Sequence, residues 1–290
     1  MDQINNKTIR QQKIQDIIGC PYCNSLLEQS ISHTYCVKCN KKFSVIDGIP
    51  DFTGTHADEK GDYQFQSQLM FNSGITAKLY NLGKKFVSSE YMVKDQVFEF
   101  IEKADSKSIV LELGSGNRRL QDNVINIDLF RFPNVDIIAD IAMLPIRNET
   151  VDFVILDTVL EHVPDPPKIV GEIHRILKPQ GEVICITPFV FPYHGYPRHY
   201  YNFSKDGLEY IFRDFSEHKV EMNMGPTSAL VNLIAEYFAV ALSGENKFVY
   251  TLTKGLVLLP VFLLKYLDKL WTPDGRGAKI ASHLCIRARK

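Results

Sequence analysis

Short apolar runs separated by turn residues fill the middle of this chain of 290 residues. In residues 109–113 four of five positions are apolar, and Gly114 and Gly116 follow closely. A short apolar run that ends in glycines is typical of a buried parallel strand followed by a tight turn. A second run, residues 125–128, ends in the carboxylate of Asp128. The pattern predicts neighbouring strands that place a glycine turn and an acid at the same edge of a sheet.

A glycine turn with an acid at the tip of the next strand is an arrangement that holds a nucleoside through its ribose hydroxyls. A dinucleotide is not indicated, because the third glycine of the dinucleotide fingerprint would fall at Arg119. Asp128 also follows the glycines sooner than the roughly twenty residues usual in that fingerprint. The glutamate inside the strand, Glu112, is foreign to it as well. We therefore expect a nucleoside ligand at the carboxyl edge of the sheet, bound through a different motif.

Further blocks follow these two along the chain. Asp140 ends an apolar stretch, residues 151–157 have the pattern of another strand, and Leu160-Glu-His-Val163 comes directly after it. The next block is Ile176-Leu-Lys-Pro-Gln-Gly-Glu-Val-Ile184. In this order the blocks resemble the class I S-adenosylmethionine-dependent methyltransferases of the methyltransferase type 11 kind, over roughly residues 105–215. The resemblance implies an α/β fold, a Rossmann-like doubly wound sheet of seven strands whose last strand is antiparallel.

The same resemblance implies S-adenosyl-L-methionine as the cofactor and a set of residues that bind it. The expected contacts run from the ribose through the adenine and the methionine end to the methyl group. In that order they are Asp128; Asp140 and Ile141; Glu112 and Gly114; and Asp157 and Thr158. Ser115, Gly116 and Asn117 of the glycine turn complete the predicted cofactor site.

One departure from the family pattern lies directly after the glycine turn. Only residues 118–123 separate the turn from the next strand, whereas a parallel crossover usually takes a dozen or more residues and contains a helix. The sequence therefore predicts a loop or a single turn at this point. Since no helix N-terminus would then face the ligand, Asn117 or Arg118 is expected to supply hydrogen-bond donors.

Four of the six cysteines form two C-x-x-C pairs, Cys20-Pro-Tyr-Cys23 and Cys36-Val-Lys-Cys39. Two such pairs about a dozen residues apart predict a structural Zn²⁺ held by four thiolates. Disulfides are the alternative, but they need an oxidising compartment. The Asp47-Gly-Ile-Pro turn that follows resembles the end of the short zinc ribbons found beside methyltransferases, which implies a zinc ribbon over residues 20–52.

Composition narrows the partners and the compartment. The net charge is −1 and the pI about 6.7, which argues against nucleic acid as the main partner. The first residues lack the apolar core of a signal peptide. No uninterrupted apolar run reaches the roughly eighteen residues that a membrane span needs. These features predict a cytoplasmic protein.

The other segments are arranged around the core domain, residues 105–290. Residues 1–19 form a polar extension, and residues 53–104 a linker followed by helices that either close over the cofactor or pack on the sheet. Residues 225–280 are an apolar insert that is predicted to be helical. Within it, residues 229–271 are expected either to touch the inner face of a membrane peripherally or to pack as a lid, on the domain or on a second copy in a homodimer.

The loop after the fifth predicted strand, residues 188–203, is rich in aromatic and titratable side chains. It would leave the sheet at the ligand edge, so it is expected to meet the methyl acceptor. His194 and His199 are the candidate catalytic bases, because an imidazole can take a proton from a hydroxyl or amine near neutral pH. A rigid loop with polar groups facing solvent is the alternative. His162 is expected to be structural or to lie next to the cofactor.

The leading functional hypothesis is transfer of a methyl group from S-adenosylmethionine to an oxygen or nitrogen of a small molecule or glycan. A lipid-linked acceptor of a surface-polysaccharide pathway is favoured, because the apolar insert would flank the mouth of the site. Two alternatives stay open. One is an rRNA or tRNA base methyltransferase that binds RNA through its ribbon. The other is a methyltransferase-like scaffold that has lost catalysis.

Overall fold

The computed structural model describes residues 2–30, 32–54, 92–93, 95–195 and 198–290. These residues contain eleven strands: β1 (Glu28–Gln29), β2 (His33–Tyr35), β3 (Lys42–Ile46), β4 (Ile49–Asp51), β5 (Val110–Leu113), β6 (Val124–Asp128), β7 (Ile137–Ile138), β8 (Val151–Asp157), β9 (Leu177–Pro188), β10 (Glu217–Met224) and β11 (His283–Arg289). All of them belong to one mixed sheet, in which they stand in the order β1-β2-β3-β4-β7-β6-β5-β8-β9-β11-β10.

Helices accompany this sheet in the described residues. They are α1 (Asp2–Ile17), α2 (Gln96–Ile101), α3 (Pro166–Ile176), α4 (Lys205–Ile211), α5 (Pro226–Ser243) and α6 (Lys247–Val261), with short 3-10 segments at Ile141–Met143, Leu160–His162, Phe262–Leu270 and Arg276–Ile280. Most of the helices predicted between residues 63 and 104 lie outside the described residues.

The centre of the sheet is parallel and fully buried. β5 lies between β6 and β8, and its Leu111 pairs with Ile125 on one side and Val154 on the other. All four β5 residues are buried, as expected for a strand with both faces covered. Because β5, β6 and β8 run in the same direction, the residues that follow each of them come together at the carboxyl edge of the sheet.

Helix α3 follows from its local sequence. Asp165 is the N-cap, and its side chain accepts a hydrogen bond from Lys168 N at 3.3 Å. Two prolines then occupy the first turn, where their missing N–H groups cost nothing. Ile169, Ile173 and Ile176 recur at helical spacing and are buried against the sheet. The helix predicted after Asp165 is therefore confirmed.

The far end of the sheet is antiparallel. β11 lies between β9 and β10 and pairs antiparallel with both. The chain enters it from the insert, close to the carboxyl edge, and runs back across the sheet. The predicted antiparallel last strand is therefore present.

The predicted count of seven strands was wrong for the sheet as a whole. The strands β5 to β11 follow the doubly wound pattern, and β1 to β4 extend the sheet beyond β7. Asp51 pairs in parallel with Ile138, and Phe52 N donates to Ile138 O at 2.8 Å. An uncovered edge strand offers unpaired backbone groups. The segment that contains the cysteines forms hydrogen bonds with some of these backbone groups of β7. The local sequence pattern does not indicate this pairing.

The crossover from β5 to β6 is a loop without a helix, as the sequence predicted. Arg119 fixes the position of β6, which a crossover helix usually does in this kind of connection. Its guanidinium donates to Val124 O at 2.9 Å and pairs with Asp136 at 3.0 Å. Asp136 also accepts from Asn126 N at 2.9 Å. These bonds hold the start of β6 in place despite the short connection.

The insert begins with a helical hairpin formed by α5 and α6. Asp268, in the following 3-10 segment, fastens the start of α5 from outside the helix. Its carboxylate accepts from Thr227 N at 2.7 Å and from Ser228 N at 2.9 Å. These are N–H groups of the first turn, which no helical carbonyl can satisfy.

The outer side of this hairpin is apolar and exposed. No residue of α6 whose side chain is described is buried, and Phe248, Leu252 and Leu256 are 74%, 50% and 58% exposed. Among the described residues α5 alone has the length and composition of a membrane span, with mean hydropathy 1.2, although 44% of it is buried. Residues 247–261 and 263–270 meet that criterion only together, and they are bent by 50°.

A pH-dependent contribution to stability is expected from His283, at the start of β11. Burial lowers its pKa from about 6.5 to about 3. Between these values the unfolded chain binds a proton that the folded chain does not, so stability is lost as pH falls below 6.5. Between pH 7 and pH 5 the parent protein should lose about 2 kcal/mol more of its free energy of unfolding than the His283→Asn variant does. Urea unfolding at both pH values measures it, and an equal loss in variant and parent would contradict the assignment.

Candidate active site

The turn after β5 needs glycine at both predicted positions. Gly114 has φ +69° and Gly116 has φ +56°, both in the left-handed region that disfavours residues with a side chain. A Cβ at Gly114 would stand 2.6 Å from Cγ2 of Val159. Gly114 N donates to Ile127 O at 2.8 Å, which fastens the turn to β6. The turn therefore presents bare backbone at the carboxyl edge.

Asp128 lies beside this turn, where the sequence predicted an acid. Its Oδ2 accepts from Gly116 N and its Oδ1 from Phe130 N, each at 2.8 Å. The side chain is buried, and burial raises the pKa of its carboxyl although the backbone N–H groups favour the ionised form. Two backbone donors thus hold the carboxylate in one orientation and leave further lone pairs for a ligand.

Glu112 and Asp157 are joined by Arg118, the first residue of the short crossover. Arg118 Nε donates to Glu112 Oε1 and Arg118 Nη1 to Asp157 Oδ2, both at 2.6 Å. Glu112 is 1% exposed, and burial raises the pKa of its carboxyl against the opposing effect of Arg118. Its second oxygen, Oε2, is buried and has no hydrogen-bond partner among the described residues. One acceptor in the site is therefore left for a ligand donor.

The other predicted cofactor residues line the same edge. Asp140 caps the 3-10 segment Ile141–Met143, where its Oδ1 accepts from Ala142 N at 2.8 Å. Thr158 has φ +57° and follows β8 directly. Ser115 is 5% exposed, and Asn117 has a buried Oδ1 without a partner among the described residues. The structure thus brings the predicted set to one edge, and it adds Arg118 as a residue in direct contact with two of its acids.

A cavity of about 160 Å³ opens beside Arg118 and Asp157. Its wall is mostly apolar and includes Phe98 of α2, Ile186 of β9 and Met224 of β10. The cavity is therefore a space at the end of β8, with a charged side formed by the ion pair and an apolar side formed by the neighbouring elements.

Glu161 is the residue of this region that sequence reasoning missed. It is 0% exposed, and burial raises the pKa of its carboxyl to about 8. Its Oε1 lies 3.7 Å from His162 Nε2 and 3.9 Å from His194 Nε2. Part of the signal was present in the sequence, because Glu161 directly follows the apolar pair Val159-Leu160 soon after a buried strand, where a side chain can be drawn into the core.

The two histidines predicted as bases differ in their surroundings. Both ring nitrogens of His199 have partners: Nε2 lies 2.9 Å from Tyr201 O and from Asn202 Oδ1, and Nδ1 accepts from His194 N at 3.2 Å. His194 has its Nδ1 3.3 Å from Pro192 O. Burial lowers the pKa of His194 and so favours its neutral form. Because Nδ1 of His194 faces a carbonyl oxygen, its Nε2 carries the lone pair, so His194 is the better placed of the two to accept a proton, while the contacts of His199 hold the loop.

The four cysteines of the C-x-x-C pairs form one cluster of free thiols. Their Sγ atoms all lie within 4.8 Å of one another, with Cys20 and Cys39 at 3.5 Å and Cys23 and Cys36 at 3.4 Å. Burial raises the pKa of Cys20 to about 12, whereas hydrogen bonds from Ser25 lower that of Cys23 to about 6. Four sulfurs at these separations fit the tetrahedral arrangement of a Zn²⁺ site.

Comparison with known proteins adds to this geometry. The family described as a methyltransferase domain matches residues 96–185. A demethylmenaquinone methyltransferase from Lysinibacillus sphaericus is 38% identical over 56 residues, which are 19% of this chain and 24% of that protein. A ubiquinone/menaquinone biosynthesis C-methyltransferase from Rickettsia bellii is 24% identical over 156 residues, 52% of this chain and 63% of that one. The chain thus spans less than two thirds of the length of either relative.

A solved structure from Thermotoga maritima is also similar in part. It is described as an S-adenosylmethionine-dependent methyltransferase, possibly acting on histamine, and it shares 17% identity and a TM-score of 0.44 with this chain. The alignment covers 79% of this chain and 99% of that one.

Removing Arg118 should show how much an unpaired, buried Glu112 lowers the free energy of unfolding. Arg118→Gln leaves Glu112 without its partner, but the arginine side chain is 42% exposed, so solvent screens part of the effect. We expect a loss of about 2 kcal/mol in the free energy of unfolding. Adding Glu112→Gln should restore most of it, because the uncompensated charge is then gone.

Arg131→Gln is the matched control, since it breaks an exposed ion pair with Asp47. It should cost about 0.5 kcal/mol or less. Denaturant unfolding of the three variants gives the comparison. Equal losses for Arg118→Gln and Arg131→Gln would show that the buried pair does not have the role given to it here.

Proposed function

We propose that this chain, in which residues 96–185 form a methyltransferase domain, transfers a methyl group from S-adenosylmethionine to an acceptor. The observation that carries the proposal is the set of acids at the carboxyl edge: Asp128 held beside a bare glycine turn, and Glu112 with one buried oxygen unpartnered. A ligand with two hydroxyls and an ammonium group satisfies both acids. The ribose and the methionine end of S-adenosylmethionine carry these groups.

The chain's residues act by positioning the cofactor. Asp128 accepts hydrogen bonds from the ribose hydroxyls, and Glu112 Oε2 accepts from the ammonium group. Asp157 and Thr158 then stand at the mouth of the site, beside the reacting centre. Bound S-adenosylmethionine supplies an activated methyl group, so the protein mainly aligns two reactants and excludes competing water. His194 is the residue proposed to receive a proton from the acceptor.

The acceptor is proposed to be amphiphilic, with an oxygen or nitrogen as the methylated atom. The support is the exposed apolar outer face of the hairpin α5–α6 near the carboxyl edge, where β11 begins. A lipid-linked glycan fits this description. A quinone precursor methylated on carbon is the second candidate, because both relatives carry names from menaquinone or ubiquinone biosynthesis.

The cysteine cluster is proposed to hold a structural Zn²⁺. Four thiol ligands would fill the coordination sphere and leave no position for a substrate. The site would therefore have no part in the transfer, and it would stabilise the segment that contributes β1–β4, the strands that extend the sheet beyond β7. Exposed Lys38 and Lys42 in this region keep RNA binding as an alternative use of the ribbon, although the net charge near zero gives it little support.

We also propose that the outer face of the hairpin lies on a membrane surface. Trp271 follows the apolar segments, which is a position typical of the interface between lipid and water. The protein would then be cytoplasmic and peripheral to the inner face of the membrane. Packing of the same face against a second copy is the competing arrangement.

Cofactor binding is tested by titration calorimetry with S-adenosylmethionine. The parent protein should release or absorb heat with a stoichiometry of one. Asp128→Asn should weaken the affinity about 100-fold, because an amide cannot accept from both ribose hydroxyls while it keeps its two backbone donors. Asp206→Asn, an exposed acid of α4, should change nothing. An unaltered affinity in Asp128→Asn, with an unchanged melting temperature, would refute the assignment. Absence of heat in the parent would favour the inactive scaffold.

The membrane proposal is tested by flotation with vesicles of phosphatidylcholine and phosphatidylglycerol. The double variant Leu252→Glu/Leu256→Glu places charges on α6, which has no buried residue among those described. It should stay folded and lose at least about 10-fold in vesicle binding. Ile9→Glu/Leu26→Glu, at exposed apolar positions elsewhere, is the control. If both double variants float like the parent, or if light scattering shows a dimer that only the α6 variant disrupts, the membrane is not the partner.

A further inference from the structure

The carboxyl group of Glu161 is fully buried and unpartnered. The residue is 0% exposed, and neither Oε1 nor Oε2 has a hydrogen-bond partner among the described residues. A buried carboxylate without donors costs several kcal/mol, so such a group normally has a proton or a cation next to it. The charge of Asp157 raises the pKa of Glu161 further, so the surroundings of Glu161 are negative. The site therefore favours a positive ligand.

Two imidazole nitrogens face this carboxyl group in the form that binds metal ions. His162 Nδ1 lies 2.5 Å from Arg198 O, and His194 Nδ1 lies 3.3 Å from Pro192 O. A carbonyl oxygen only accepts hydrogen bonds, so each Nδ1 carries the hydrogen and each Nε2 keeps its lone pair. Burial lowers the pKa of both histidines, which keeps them neutral near pH 7.

The separations of the three side chains fit a shared ion. Oε1 of Glu161 lies 3.7 Å from His162 Nε2 and 3.9 Å from His194 Nε2, and all three ligand atoms lie within 4.8 Å of one another. Bonds of about 2.1 Å in a tetrahedral site place ligand atoms about 3.4 Å apart. A modest closure of the histidines would reach that geometry.

We infer that Glu161, His162 and His194 form a binding site for a divalent transition-metal ion. Two imidazoles and one carboxylate are a ligand set that Zn²⁺, Fe²⁺ and Co²⁺ accept, and it leaves coordination positions open. His194 comes from the loop expected to meet the acceptor, so an open position is available to water or to an acceptor oxygen. The inference is independent of the proposed cofactor site, because none of the three ligands is among the residues proposed to hold the cofactor. It replaces the proposed role of His194 as a base, since a bound ion takes up the Nε2 lone pair that would accept the proton.

The site is tested on the full chain, purified without a histidine tag and dialysed to equilibrium against Co²⁺. Total bound metal is then counted by elemental analysis. The parent should bind one ion more per chain than the Glu161→Gln or His194→Ala variant. Either substitution should lower the affinity for that ion at least about 100-fold. His218→Ala, which removes an exposed histidine of β10, should bind as the parent does.

Absorption spectra separate this ion from the cysteine cluster. A cobalt ion among thiolates gives sulfur-to-metal charge-transfer bands, whereas the ion at Glu161 should add only weak bands of nitrogen and oxygen coordination. A crystal soaked in Co²⁺ should show an anomalous peak about 2.1 Å from Glu161 Oε1 and from both Nε2 atoms. Equal metal content in the parent and both variants, with all three folded by circular dichroism, would overturn the proposal. It would leave a protonated Glu161 beside two neutral histidines.

Discussion

Burial of acids at the carboxyl edge of the parallel strands is the constraint on which the rest of this structure depends. Glu112 in β5, Asp128 at the end of β6 and Glu161 after β8 are 1%, 7% and 0% exposed. Burial raises the pKa of all three carboxyl groups. Each ionised acid therefore needs donors or a cation. Backbone N–H groups donate hydrogen bonds to Asp128, and the guanidinium of Arg118 pairs with Glu112. Ligands are proposed to bind at the carboxylate oxygens that have no such partner.

The features predicted correctly are those that depend on a few neighbouring residues. The apolar run of β5, the glycines after it and the acid at the end of β6 were found because strand period, backbone conformation and charge act over a few residues. The N-cap of α3 at Asp165 is local in the same way. The short connection before β6 was also recognised, since its length alone rules out a helix.

Long-range contacts account for what the sequence did not reveal. The pairing of β4 with β7 joins Asp51 to Ile138, and no periodicity records such a partner. Asn117 or Arg118 was expected to supply donors to the ligand. That Arg118 also bridges two acids was not predicted, because β5 and β8 bring Glu112 and Asp157 together only in the folded chain. The burial of Glu161 could have been expected from its apolar neighbours, but its proximity to His194, a residue of a later loop, could not.

The most direct test is a crystal structure of the protein with S-adenosylhomocysteine, the demethylated form of the proposed cofactor. The account predicts that the ribose hydroxyls lie within hydrogen-bond distance of Asp128 and that the amino group lies against Glu112 Oε2. A structure in which the nucleoside binds elsewhere, or in which Glu112 and Asp128 keep only their present partners, would contradict it.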